Sequence, residues 1–398
     1  MTFDYSADDL AFADDVRNFI RANLDENVRR KVLSGLVPLR GEREKWQKSL
    51  VARGWGAPGW PVEHGGTGWS VVRRHIFDEV LTEEGAPGFP VFGMTMLAPV
   101  LMRFGTEQQK RDIIPGILNM DNFWCQGFSE PGAGSDLAGV RCTARLEDGN
   151  WIINGQKIWT TLAHEADRIF MLVRTSQAEK KQLGLSILLL DMATPGITVR
   201  PIITIDNHHE VNEVFFDDVK VPQANIIGEE GKGWTYAKYL LGHERTSIAR
   251  IGQSRRELRR LAATAAAVPW RGGTVAQAPW FKRRHAEIEI RHRILEATTL
   301  RLLALVADGG KSGSEANLLK IHGSEVQQDL AELWLDVVGE YGFAYGEGAR
   351  SAVAHLGEVV PWEADYAAGG HFNSRKLSIY GGSNEIQRNI VAKAALGL

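Results

Sequence analysis

The apolar residues of this chain change their period twice, and that change constrains the fold more than any other feature. In the first third they recur at three- and four-residue spacing, as at Phe12, Val16, Phe19 and Ile20, the repeat of a helix with one buried face. Near Phe123 the texture turns into short runs rich in β-branched and aromatic residues, at 168–174, 185–191, 197–203 and 213–221, which read as strands. From Gly233 the helical period returns in long segments, 234–267, 280–307, 315–338 and 384–396, lengths that suit a four-helix bundle. The 398 residues are too many for one core, so the fold class is read as α+β, mostly α, in three parts. These are an N-terminal α-helical domain over 1–122, a middle β domain over 123–232 and a C-terminal four-helix-bundle domain over 233–398.

Local punctuation agrees. Ser6 with Asp9, and Thr106 with Gln109, stand three residues apart ahead of apolar repeats, the spacing of a capping box. Gly56-Ala57-Pro58-Gly59-Trp60-Pro61 cannot remain helical, and both Asp148-Gly149 and Asn154-Gly155 read as hairpin turns.

Several functions are disfavoured. Forty-six Lys and Arg against forty-nine Asp and Glu leave a net charge of −3, so no general attraction to nucleic acid or an anionic membrane is expected. Cys125 and Cys142 are too few for a disulfide framework or a four-thiolate zinc site, which makes the expected compartment cytoplasmic. The apolar run at 185–190 is far below the roughly 20 residues a spanning helix needs, and the acid-rich N-terminus does not read as a leader. Gly309-Gly310-Lys311-Ser312 has the tail of a phosphate-binding loop, but Leu305 occupies the required first glycine. His208-His209-Glu210 lacks zinc-helix spacing and reads as a solvated turn, so no metal is expected.

Two features can carry chemistry. In Phe128-Ser129-Glu130-Pro131-Gly132-Ala133-Gly134-Ser135-Asp136-Leu137, small residues let backbone N–H groups approach a planar heterocycle or phosphate, and Ser129, Ser135 and Asp136 offer side-chain hydrogen bonds. Composition alone also allows an ordinary Gly-rich loop at a domain boundary. Downstream, Trp159, Thr160 and Thr161 add an aromatic and two hydroxyls. The second feature is Glu244. With 234–267 continuous, Ala237, Leu241, Ile248 and Ile251 at −7, −3, +4 and +7 put its carboxylate inside the apolar stripe. Burial there would raise its pKa, as a general base working near neutrality requires. A bundle Glu bonded to an Arg or Tyr of another helix is the alternative.

These residues resemble the acyl-CoA dehydrogenase family along nearly the whole chain. The 129–136 segment is similar to the family's flavin signature, 154–161 to its Trp-x-Thr flavin wall, and Tyr380-Gly381-Gly382-Ser383-Asn384-Glu385-Ile386-Gln387-Arg388-Asn389 to its C-terminal signature. Within the family the chain looks closest to large subunits of bacterial dehydrogenases for pimeloyl-CoA-like substrates. The resemblance implies a middle domain in the form of a β-barrel, FAD as cofactor and an acyl-CoA substrate. It also implies contacts to FAD from Phe128, Ser129, Gly134, Ser135, Trp159, Thr161, Tyr380, Ser383 and Glu385. Ser135, Arg245, Gly381 and Gly382 would contact substrate, and the reaction would yield a trans-2-enoyl-CoA.

Two departures shape the expectation. Most members carry the α-proton base directly after the signature Tyr, where this chain has Gly381; a minority place it before an Arg on the bundle helix, here Glu244-Arg245. The resemblance therefore implies Glu244 as base with Arg245 beside it. The Arg-x-x-Phe-Gly loop that members lend to a neighbour's cofactor is missing around 269–285, and a Gln-x-x-Gly-Gly stretch is reduced to 336–342. A second, homologous subunit in an α2β2 assembly is expected to supply them, with a homotetramer or homodimer as the alternative. An electron-transfer flavoprotein is the expected acceptor. A non-catalytic flavin-holding subunit and a flavin oxidase or monooxygenase remain as other readings. Arg250, Arg255 and Arg256 read as solvated or partner-facing charge.

Overall fold

A computed structural model describes residues 5–244, 249–307, 310, 313–343 and 364–397. Six helices come first: α1 (Ala7–Asn23), α2 (Glu26–Leu33), α3 (Arg40–Ala52), α4 (Val71–Glu83), α5 (Ala98–Phe104) and α6 (Glu107–Leu118). Both expected capping boxes are present, Ser6/Asp9 opening α1 and Thr106/Gln109 opening α6. A π-helical turn at Val91–Leu97, which the sequence did not signal, leads into α5.

The middle of the chain is a seven-stranded sheet: β1 (Trp124–Gly127), β2 (Thr143–Glu147), β3 (Asn150–Thr161), β4 (Arg168–Arg174), β5 (Leu185–Asp191), β6 (Ile197–Ile203) and β7 (His209–Pro222), in the order β1-β4-β2-β3-β7-β6 with β5 on β4. Phe170 and Leu172 of β4 and Leu185, Ile187 and Leu189 of β5 pack into a core shared with α5, α6 and the helix after the sheet. Ile169, Met171 and Val173, with Leu188 and Leu190, fill the other face. Burial on both faces explains why 185–190 is a nearly unbroken apolar run, although β5 pairs with β4 alone.

Asp148-Gly149 forms the expected turn between β2 and β3, with φ of 46° and 75°. Asn154-Gly155 does not turn: it lies inside β3 at a register shift against β7, where Gly155 has φ 145° and a Cβ would meet Cys142 at 2.7 Å. The Asn-Gly pair marks a bulge that needs glycine for close approach.

Among the described residues six more helices follow: α7 (Gly233–Glu244), α8 (Ile251–Ala267), α9 (Pro279–Ala307), α10 (Glu315–Val338), α11 (Ala364–Ser374) and α12 (Asn384–Val391). The expected continuous helix over 234–267 is two helices, because Arg250 adopts left-handed φ 47°, ψ 47° immediately before Ile251. Helices α8, α9, α10 and α11 share an apolar core through Leu261, Phe281, Leu333, Val337 and Ala367, and α12 packs on α10. The bundle therefore uses α11, which the sequence reading lacked, and excludes α7, which packs on the sheet and the π-helical turn. Arg255 and Arg256 are not solvated. Arg255 pairs with Glu79 and Glu83 of α4 and Glu296 of α9, and Arg256 donates to the Thr82 carbonyl at 2.8 Å. Both arginines latch the bundle to the N-terminal helices. No helix among the described residues is long and apolar enough to cross a membrane, and no cluster of metal-ligating side chains occurs among them. Within Gly309–Ser312, only Gly310 lies among the described residues.

Candidate active site

The Gly-rich loop leaves the end of β1 and is fastened from beneath. Glu130 is buried, and its carboxylate accepts the Arg141 N–H at 2.6 Å, the Cys142 N–H at 2.9 Å and the Lys157 ammonium at 2.7 Å. Lys157, wholly buried on β3, also donates to the carbonyls of Phe128 at 3.2 Å and Leu172 at 2.6 Å. One cation and one anion thus find every partner they need, the condition under which a buried pair is tolerated. Above this anchor Pro131, Gly132, Gly134, Ser135 and Asp136 are exposed. A Cβ at Gly132 or Gly134 would meet nothing within 4 Å, so the loop faces open space. Phe128 is buried edge-on against Phe170, and Ser129 is half-buried.

The second segment reaches the same place by a bulge. Pairing of β3 with β7 runs Lys157↔Val214 and resumes at Thr160↔Asn212, so an irregularity falls at Ile158-Trp159. Trp159 takes φ 59°, rare for an aromatic residue, and its side chain stands 56 % exposed. A large aromatic turned outward by a bulge is available to stack on a planar ligand. The Ile158 N–H donates to the Ser129 carbonyl at 2.9 Å, which joins the bulge to the Gly-rich loop. Thr160 is buried and Thr161 half-buried.

The C-terminal signature is organised by its own turn. Gly381 and Gly382 have φ of 65° and 80°, and their carbonyls accept from Gln387 Nε2 at 3.0 and 3.3 Å. Ser383 caps α12 by accepting the Ile386 N–H at 3.4 Å, and buried Asn384 accepts from Lys320 Nζ at 2.8 Å. Glu385 is exposed in the first turn, where backbone N–H donation and Ser383 hold its carboxyl below the usual range. The half-buried Tyr380 hydroxyl accepts from Arg250 at 3.3 Å. Just upstream, Asn373 and Lys376 bind the Glu210 carboxylate, and the Glu210 carbonyl accepts the Leu162 N–H at 2.8 Å. The approach to Tyr380 is therefore tied to the end of β3.

Helix α7 reaches Glu244, but the side chain of Glu244 and all of Arg245 lie outside the described residues. The periodicity argument for Glu244 keeps only its first half. Ala237 is buried and Leu241 half-buried, whereas Ile251 belongs to a different helix. The 269–285 region forms a short hairpin, Pro269–Trp270 with Gly273–Thr274, and 336–342 runs from the end of α10 into a tight turn. Sequence reasoning missed the Lys157–Glu130 anchor, because 27 residues separate partners whose pairing only the sheet creates. It also read His209 as part of a solvated turn; His209 is exposed, but it opens β7 and stacks on His164.

Three successive stretches match the acyl-CoA dehydrogenase N-terminal, middle and C-terminal domains, over residues 6–121, 125–219 and 231–396. The chain is 39% identical over 368 residues to acyl-CoA dehydrogenase IpdE1 of Mycobacterium tuberculosis, covering 90% of this chain and 88% of that one. The chain belongs to the acyl-CoA dehydrogenase family. Among solved structures it superposes on the Tcur3481-Tcur3483 steroid ACAD with a TM-score of 0.87 at 28% identity, covering 100% of this chain and 99% of that one. It superposes on the ChsE4-ChsE5 complex from Mycobacterium tuberculosis with a TM-score of 0.82 at 29% identity, with the same coverage. As a member the protein is an oxidoreductase, an acyl-CoA dehydrogenase with FAD as its cofactor. The open Gly132–Gly134 loop and the exposed Trp159 indole, bonded into one surface, fit a flat heterocycle carrying a phosphate tail.

Proposed function

We propose that this chain is the base-bearing subunit of a heteromeric, cytoplasmic acyl-CoA dehydrogenase that acts on a bulky, branched or fused-ring acyl-CoA. The observation that carries the reading is the hydrogen bond joining the Gly-rich loop to the Trp159 bulge. Phe128, Ser129, Gly134 and Ser135 then line the cofactor from one side, Trp159 and Thr161 from another, and Tyr380, Ser383 and Glu385 close the site from the turn before α12 and its first residues. Bound FAD supplies an acceptor for the hydride that leaves the substrate β-carbon.

Glu244 removes the α-proton, with Arg245 beside it, and the product is a trans-2-enoyl-CoA. Two observations support Glu244 over the position after Tyr380. A Glu at 381 would have to adopt φ 65°, which side-chain-bearing residues avoid. Ala237 and Leu240, seven and four residues before Glu244 on α7, are each 1 % exposed, which sets that helix face in the core. Gly381 and Gly382 leave room for a wide acyl group, and Ser135 contacts the CoA portion. The steroid named for one structural neighbour supports that substrate class.

A homologous second chain completes the cofactor clamp in an α2β2 assembly, and an electron-transfer flavoprotein takes the electrons. The two-protein names of both structural neighbours support the assembly. The domains divide at 122/123 and 232/233, in the connectors that follow α6 and precede α7. The test is anaerobic bleaching of the copurified complex by a panel of acyl-CoA thioesters. Glu244→Gln is expected to keep FAD and lose about 10²–10⁴-fold in turnover; wild-type turnover would remove Glu244 from the role. Hydrogen peroxide formed in step with turnover would indicate an oxidase instead. One tightly bound FAD per chain in a homotetramer would overturn the heteromer.

A further inference from the structure

Asn212 lies on β7, 0 % exposed, directly opposite Thr160 of the bulged strand. Its Nδ2 donates to the Thr160 carbonyl at 3.0 Å and stands 3.2 Å from His164 Nδ1, while its Oδ1 stands 2.7 Å from His209 Nε2. The two imidazoles stack with centroids 3.8 Å apart. The Thr160 carbonyl can only accept, so it fixes which end of the amide faces it. That choice sets the rest: His209 must donate from Nε2, and His164 must present a bare Nδ1 to receive the second amide hydrogen.

A proton on His164 Nδ1 would put N–H against N–H. Turning the amide to accept it would set Oδ1 against the Thr160 carbonyl. Protonated His164 and the Asn212–Thr160 bond therefore exclude one another, and Thr160 lies between Trp159 and Thr161. We infer that His164, Asn212 and His209 form a positioning relay for the flavin wall, in which a single proton on His164 releases the bulge that carries Trp159 and Thr161. The inference rests on the reading of 158–161 as that wall.

The surroundings of His164 favour its neutral form. Although His164 is exposed, partial desolvation by the groups packed on it is the largest influence holding its pKa below the usual histidine value, and His209 and Arg43 of α3 act in the same direction. Glu165, which pairs with Arg43, opposes them, whereas the amide hydrogen received at Nδ1 from Asn212 stabilises the neutral ring. On the far side, Glu210 is engaged by Lys376 and Asn373. The folded His164 resists a proton that the unfolded chain takes up near 6.5, so the bulge is fastened above that pH and loosens as pH falls below it.

The test uses the full-length chain with its copurified partner and compares wild type with His164→Gln, which keeps an acceptor for Asn212 but cannot titrate. Hydrogen exchange of the 158–163 segment without FAD, corrected for intrinsic rates, is expected to quicken at least about threefold between pH 7.5 and 5 in wild type and to stay flat in the variant. The FAD dissociation constant should follow the same two profiles. His209→Gln, which still offers a donor, should retain the wild-type profile. Identical profiles in wild type and H164Q, or no change in wild type, would overturn the relay. A normal exchange switch in a complex that binds no FAD would overturn the functional reading and leave the relay standing, whereas FAD affinity flat with pH in wild type would do the reverse.

Discussion

Lys157 and Arg255 are both cations enclosed by the protein, and they are treated very differently. Lys157 meets one carboxylate, Glu130, and every other valence of the pair is filled by backbone: two carbonyls on the ammonium, two N–H groups on the carboxylate. Arg255 meets three carboxylates, Glu79, Glu83 and Glu296, and burial pushes the Glu79 carboxyl up to about 7. The difference comes from the elements around them. A loop leaving a strand, and a strand that runs on past the end of its neighbour as β4 does at Leu172, have N–H and C=O groups not committed to a ladder, so they can solvate a buried charge. Between helices α4, α8 and α9 those groups are consumed by the helices' own bonds, and the surplus negative charge is relieved by a proton instead.

Three measurements can break or sharpen this contrast. Lys157→Met leaves Glu130 buried with its charge uncompensated and should cost about 3–5 kcal/mol in stability, with loss of FAD binding; chemical denaturation that shows a small change would end the view that the loop hangs on this pair. Glu79→Gln addresses the other centre. An unfolded Glu titrates near 4.5 and Glu79 near about 7, so its contribution is fully present below 4.5 and is lost as pH rises through 7. Denaturation of variant and wild type at pH 4.5 and 8 should show their difference move in the variant's favour by about 1–3 kcal/mol. A pH-independent difference would mean that Arg255 neutralises all three carboxylates. Trp159→Ala should change stability by no more than about 0.5 kcal/mol, since the indole is mostly exposed, while weakening FAD binding in a fluorescence titration. A large loss of stability would make Trp159 part of the anchor rather than of the binding surface.

Element type was readable wherever one face of an element is buried. Strands at 168–174, 185–191 and 197–203 occur at the expected residues, because apolar spacing reports burial directly. The readings failed where backbone conformation, not side-chain pattern, decides. Asn154-Gly155 has the composition of a hairpin turn, yet the approach of Cys142 makes it a bulge inside β3. Nothing in the spacing of 234–267 announces the left-handed Arg250 that divides it. The site followed the same rule. The Gly-rich loop and the Trp159 segment could be picked out because their residue types are unusual. That they share a surface follows from one main-chain bond between Ile158 and Ser129, and backbone bonds carry no residue code.

The sequence alone determined the order of helical and sheet regions, the capped starts of α1 and α6, and the motifs that resemble a flavin dehydrogenase, because each depends on residues within a few positions of one another. Tertiary structure decided that Glu130 would receive Lys157, that Arg255 would be drawn inward to α4, and that Asn212 would bridge two histidines behind Thr160. Those partners stand 27, 176 and 52 or fewer residues away in the chain. Only packing sets such distances, and a charged or amide side chain takes its protonation and orientation from whatever packing brings near.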